Sequence, residues 1–212
     1  CSSDLMVVPY APGGSTDVLA RLLAEAMARD LGQAVVVENL GGAGGTIGTA
    51  KVVRAPNDGH TVLLHNMGIA IAPALYPKLS FDVTKDLEPI TLAWDVPMIL
   101  VRHPRFDPST LVELIKFMRA KPGEMKFAHA GVGATSHLCA VLFLQATNTS
   151  ATLVPYRGTG PALIDLLAGS VDVICDQPVS TNQYIQSGSL KPYAVATRDR
   201  DRKSTRLNSS HS

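Results

Sequence analysis

Short runs rich in Val, Ile and Leu alternate with helix-length amphipathic segments along most of the chain, and glycine-rich turns mark many of the junctions. Residues 5–9 read as a buried strand and Pro12-Gly13-Gly14-Ser15 as a turn. Residues 17–31 then read as a helix with Val18, Leu19, Leu22, Leu23, Ala26 and Met27 on one face. Gly32 supplies the left-handed residue that ends it. A β-branched run over 34–38, the glycine run 41–45, a short helix over 46–55 and a third strand over 61–64 follow. Helices of this length between strands imply parallel pairing through right-handed crossovers, hence an α/β sheet with helices on both faces.

The rhythm breaks over 92–104, where an apolar stretch carries Pro97 and Pro104, and this is the expected hinge crossing. A helix resumes after Pro108 with Leu111, Leu114, Ile115 and Met118 on its inner face. Strands are expected at 126–129, 153–156, 171–175 and 191–196, with helices reaching about 146 and over 161–167 and 180–186. The expectation is therefore two α/β lobes, residues 1–97 and 98–200. Residues 202–212, RKSTRLNSSHS, have no apolar period and read like a translated sequencing adapter, so 201–212 are taken as a non-native tail.

Composition narrows the function. With 46% hydrophobic and 17% charged residues the chain can bury a core, and no apolar run approaches a membrane span. The net charge is +1, and four cations and two acids of that balance lie in the last fourteen residues. Without a basic stripe there is nothing to release counterions from nucleic acid, so no nucleic-acid partner is expected. Three cysteines, Cys1, Cys139 and Cys175, are odd in number and form no Cys-x-x-Cys pair, so neither a zinc site nor a disulfide framework follows. Cys139 reads as a core residue. Cys1 reads either as an arbitrary start or as the lipid-bearing first residue of a mature lipoprotein, with a signal peptide removed or not included.

Three glycine-rich turns end at helix starts: Pro12 to Asp17, Gly44 to Gly48, and Gly131 to His137. A helix start presents unpaired N–H groups and a partial positive charge, glycine admits an anion to the backbone, and Ser or Thr adds a hydroxyl donor. Each turn thus has two readings, a carboxylate cradle or a plain strand-to-helix connection capped by its polar residues. Asp176 and Gln177 follow an apolar run and meet the same edge, either as a turn before Pro178 or as ligand contacts; there Asp176 would repel a carboxylate and hold an ammonium or a hydroxyl.

Other chemistries fit less well. Ile47 occupies the third glycine position of a dinucleotide fingerprint, and no phosphate-binding P-loop motif occurs. Ser136-His137 invites a hydrolase reading, yet adjacent helical residues point about 100° apart and no nucleophile elbow is present. The six histidines show no metal-binding spacing. No catalytic residue, metal or cofactor is expected.

Residues 7–25 (VVPYAPGGSTDVLARLLAE), 35–48 (VVVENLGGAGGTIG), 57–66, 73–82, 130–138 (AGVGATSHL), 154–172 (VPYRGTGPALIDLLAGSVD) and 190–197 together resemble the extracytoplasmic solute receptors of tripartite tricarboxylate transporters, the Bug family. The resemblance implies a type II periplasmic-binding-protein-like fold, incomplete at the C-terminus, in which two lobes close on a small carboxylate. It further implies a periplasmic monomer that hands a di- or tricarboxylate or an acidic amino acid to membrane permease subunits, without catalysis. The ligand contacts it implies are Tyr10, Gly13, Gly14, Ser15, Asp17, Gly131, Gly133, Thr135, Ser136 and His137, with Asp176 toward the ligand's far end. Departures from the family pattern are Tyr10, His129, Ala134-Thr135 and the segment 175–178, which bear on the ligand rather than the fold. A cytosolic effector-sensing domain and a Ser/His hydrolase remain the alternatives.

Overall fold

The computed structural model describes residues 3–197. Cys1 and the tail 201–212 lie outside that range.

Among the described residues there are two sheets. The first has the order β2-β1-β3, from β1 (Asp4–Val8), β2 (Val35–Asn39) and β3 (Thr61–Leu63), and all its pairings are parallel. Between the strands lie α1 (Ser15–Leu31) and α2 (Thr46–Val53), and α3 (Gly68–Leu75) follows β3. Gly32 ends α1 at φ 68°, its amide returning to Ala28 O, as the sequence implied.

The second sheet has the order β6-β5-β7-β4-β8, from β4 (Ile99–Arg102), β5 (Lys126–His129), β6 (Thr152–Pro155), β7 (Val173–Asp176) and β8 (Lys191–Val195). Its helices are α4 (Leu111–Ala120), α5 (Thr135–Thr147), α6 (Thr159–Ala168) and α7 (Pro178–Gln186). Thr110 and Glu113 close a reciprocal capping box at the start of α4.

Alternation along the strands feeds both faces of this sheet. Ile99, Val101, Ala128 and Ile174 point toward Ala162, Leu163 and Leu166 of α6. Leu100, Phe127, Val173 and Cys175 point toward Leu114 and Met118 of α4 and Ala140 of α5. In the first half Met6, Val8 and Tyr10 pack with Ala20 and Ala24, and Ala130 and Ala134 of the second half join that same cluster.

Four expectations are corrected. All-parallel pairing fails at β4, which runs antiparallel to both β7 and β8 because it enters the second sheet from the long 76–98 connection rather than from a crossover helix. Leu23 and Met27 of the expected α1 face do pack on the core, but the fully buried positions there are Ala20 and Ala24, and Leu22 is 55% exposed; small residues bury where the helix lies close against its neighbours. Helix α3, which contains Pro73, went unread in a stretch where the proline disguises the period. Cys139 and Cys175 form a disulfide across 36 residues, a pairing made by the fold and not signalled by any local spacing.

Candidate functional site

Four helix starts face one small cavity between the halves. Ser15, Thr16 and Asp17 come from α1, Thr135 and Ser136 from α5, Thr159 from α6, and Asp176 and Gln177 from the residues that lead into α7. The starts of α1, α5, α6 and α7 all lack a side-chain cap hydrogen bond. The partial positive charge of these helix ends therefore converges on one volume. No Lys or Arg lines it. The space is about 20 Å³, room for about one water molecule.

The halves touch through backbone. A Cβ on Gly14 would lie 2.6 Å from Thr159 Oγ1, and one on Gly41 would lie 2.5 Å from Arg157 O. The Ala11 amide donates to Arg157 O at 2.8 Å, the Ser15 amide to Thr159 Oγ1 at 3.3 Å, and the Tyr76 hydroxyl to Val132 O at 2.7 Å. The seam closes this tightly because glycine occupies the contact points on both sides.

Of the residues expected at the site, Tyr10, Gly14, Ser15, Asp17, Thr135, Ser136 and Asp176 line the cavity. Tyr10 is buried and donates to Asn66 Oδ1 at 3.0 Å. Ser136 Oγ accepts the Ala130 amide at 2.8 Å, which leaves its own proton to donate. Thr135 Oγ1 is buried and has no hydrogen-bond partner. Asp17 is committed elsewhere: its carboxylate takes the Gly13 amide at 2.9 Å and the Arg21 guanidinium at 3.0–3.1 Å. Burial works against its charge, yet the Arg21 and Gly13 bonds hold its carboxyl below the ordinary range.

Gly13, Gly131, Gly133 and His137 stand outside the lining. The Gly13 amide is taken by Asp17, the Gly131 amide by His129 Nδ1 at 3.2 Å, and the Gly133 amide by His137 Nδ1 at 3.3 Å. Three glycine amides expected to face an anion are therefore engaged inside the protein. The two imidazoles lie 4.7 Å apart between centroids, tilted by 50°. Burial pushes His129 down to about 4 and lowers His137 as well, and each ring accepts through Nδ1 as a neutral imidazole does. Among the described residues no hydrogen bond joins either ring to Ser136 or to a carboxylate, so the relay a hydrolase requires is not assembled.

Asp176 is 1% exposed, accepts the Ser180 hydroxyl at 2.7 Å, and its carboxyl is pushed up by burial against the hydroxyls of Ser180, Thr159 and Ser15 and the Gln177 amide. Thr16, of the first glycine-rich turn, and Gln177, offered beside Asp176 as a contact, also line the cavity, as do Asn66, Met98, Ala130 and Thr159, which the sequence reading does not include. Thr159 had a readable signal, since Arg157-Gly158-Thr159-Gly160 is another glycine-and-hydroxyl turn at a helix start.

Two α/β halves meeting over inward-facing helix starts make a type II periplasmic-binding-protein-like fold, the class of two-lobed solute-binding proteins. Residues 19–209 match the tripartite tricarboxylate transporter family receptor. The chain belongs to that family, which includes the Bug proteins.

An Agrobacterium vitis protein of the UPF0065 group is 42% identical over 195 residues, covering 92% of this chain and 56% of its own length. The periplasmic binding protein BugD superposes with a TM-score of 0.90 at 45% identity, covering 93% of this chain and 66% of BugD. MatC from Rhodopseudomonas palustris, solved with bound malate, gives 0.88 at 38% identity over 94% of this chain and 68% of MatC. The chain thus spans a little over half to two thirds of these relatives.

Proposed function

We propose that the chain acts as an extracytoplasmic receptor that binds a small carboxylate in the periplasm and passes it, as a monomer, to the membrane permease of a tripartite tricarboxylate transporter, without catalysis. One observation carries the reading: four helix starts, none with a side-chain cap, point into one cavity lined by no Lys or Arg. Dipoles and hydroxyls, not a salt bridge, would hold the anion. On this reading residues 1–97 and 98–200 are the lobes, the 92–104 crossing is the hinge, and the glycine seam is the closed contact.

Asp176 narrows the guest. A buried acid beside the hydroxyls of Ser15 and Thr159 accepts from an ammonium or hydroxyl more readily than it tolerates a second carboxylate, which favours an α-hydroxy or α-amino dicarboxylate. The malate bound to MatC is of that kind. The Cys139–Cys175 disulfide suits an oxidising compartment, and no described helix is long and apolar enough to cross a membrane.

The test is a calorimetric titration and thermal-shift screen with malate, adipate, citrate, aspartate and glutamate. At a hundred times Kd a true ligand stabilises by about 2.7 kcal/mol. Absence of both heat and shift across the panel overturns the proposal.

A further inference from the structure

The disulfide joins two elements that each carry residues of the cavity lining. Cys139 follows Ser136 by three residues, nearly one helical turn, so it sits under the start of α5. Cys175 is wholly buried and immediately precedes Asp176. The bond therefore links the element that presents Thr135 and Ser136 to the element that presents Asp176.

Strand pairing leaves this link unduplicated. β7 pairs with β5, which leads into the α5 turn, only at Val173 and Ile174. Its last two residues, Cys175 and Asp176, pair solely with Leu100 and Ile99 on the opposite side. Among the described residues no hydrogen bond joins α5 to residues 175–181. Apolar packing of Phe127, Ala140 and Val173 presses the elements together, but such packing is non-directional and lets a helix slide along a strand.

We propose that the Cys139–Cys175 disulfide is a positioning device for the cavity, setting the spacing between the Thr135 and Ser136 donors and Asp176. Its value for ligand affinity rests on the carboxylate reading, while its effect on geometry does not. The pair ties α5 one turn after Ser136 to β7 one residue before Asp176, so it bears directly on the spacing of lining residues.

The test compares the oxidised full chain with Cys139→Ala/Cys175→Val and with Met118→Ala, which weakens the same core cluster without touching the bond. Hydrogen exchange is followed without ligand. Amides of 131–138 and 176–181 are expected to exchange about tenfold faster in the cysteine-free protein, with β1 and α1 unaffected and Met118→Ala leaving the site amides near the oxidised value. Unchanged site amides, or an equal rise in Met118→Ala, overturn the proposal. Should the double variant not fold, the same contrast is read between oxidised and gently reduced wild-type protein.

Titration with malate and adipate forms the second arm, with Kd expected to rise about tenfold when the bond is absent. Binding of neither probe by the oxidised protein, with the exchange contrast intact, counts against the carboxylate reading and supports the positioning role. Full affinity in the cysteine-free protein overturns that role.

Discussion

Gly160, the second residue of α6, packs so closely on the carbonyl oxygen of Pro12 that a side chain of even one carbon would overlap it. The two residues belong to opposite halves, and their contact sits beside the Ser15 to Thr159 bond that helps close the seam.

Replacing Gly160 by Ala therefore acts as a wedge. Alanine is favoured over glycine in a helix by about 1 kcal/mol, and Gly160 does not occupy a left-handed conformation, so the second half is expected to keep its stability. Small-angle scattering should show a wider particle, and titration with malate or adipate should lose at least about tenfold in affinity, about 1.4 kcal/mol. A particle as compact as wild type would show that the seam yields to the methyl group.

Asp176→Asn tests which guest the cavity suits. The ratio of adipate to aspartate affinity is expected to rise about tenfold, because an amide no longer attracts an ammonium and no longer repels a distant carboxylate. Calorimetry on both ligands reads the ratio, and an unchanged ratio places the side chain out of reach of the guest.

Stability should fall on mild acidification before most carboxylates titrate. His65 and His129 are both held near 4 by burial, against an ordinary value of 6.5. Between these limits the unfolded chain binds more protons than the folded one, so stability is complete above about 6.5 and declines as pH drops toward 4. Each histidine contributes on the order of 3 kcal/mol across that window. Asp176, raised by burial, works in the opposite direction, while Asp4, Asp17 and Glu113 are lowered and act below it. Urea midpoints at pH 7.5, 6 and 5 check this, and His129→Asn should flatten the slope.

Loss of the disulfide should be felt globally as well as at the cavity. Closing a loop across 36 residues stabilises by about 3–4 kcal/mol, so differential scanning calorimetry of the Cys139→Ala/Cys175→Val variant should show a melting point lower by roughly 10 °C.

Much of the fold is legible in the sequence because period survives in it. The strands at β1, β2, β5 and β8 and the helices α1 and α4 fall within a few residues of their apolar patterns. Direction of pairing has no local signature, so β4 went unread as an antiparallel strand and the two-proline stretch passed for a crossing alone. On α1 the period marks Leu23 and Met27 correctly, but Ala20 and Ala24 bury more deeply and Leu22 faces out, because close approach between elements is not encoded in hydrophobicity.

At the cavity the legible part is chemical. Glycine beside a hydroxyl at a helix start flagged Gly14, Ser15, Thr135 and Ser136. What sequence does not reveal is which amides are already spoken for. His129 and His137 stand two residues before Gly131 and four after Gly133, close enough to claim their amides, but only the folded turn shows that they do. Met98 lines the cavity through backbone path alone, and nothing in its surroundings announces it.

The water-sized cavity has a thermodynamic corollary. On the receptor reading a dicarboxylate needs more room than about 20 Å³, so entry would require the seam to part, and apparent affinity would scale with the fraction of molecules in which it has parted. Substitutions that ease the seam apart without obstructing its return would then tighten binding from a distance.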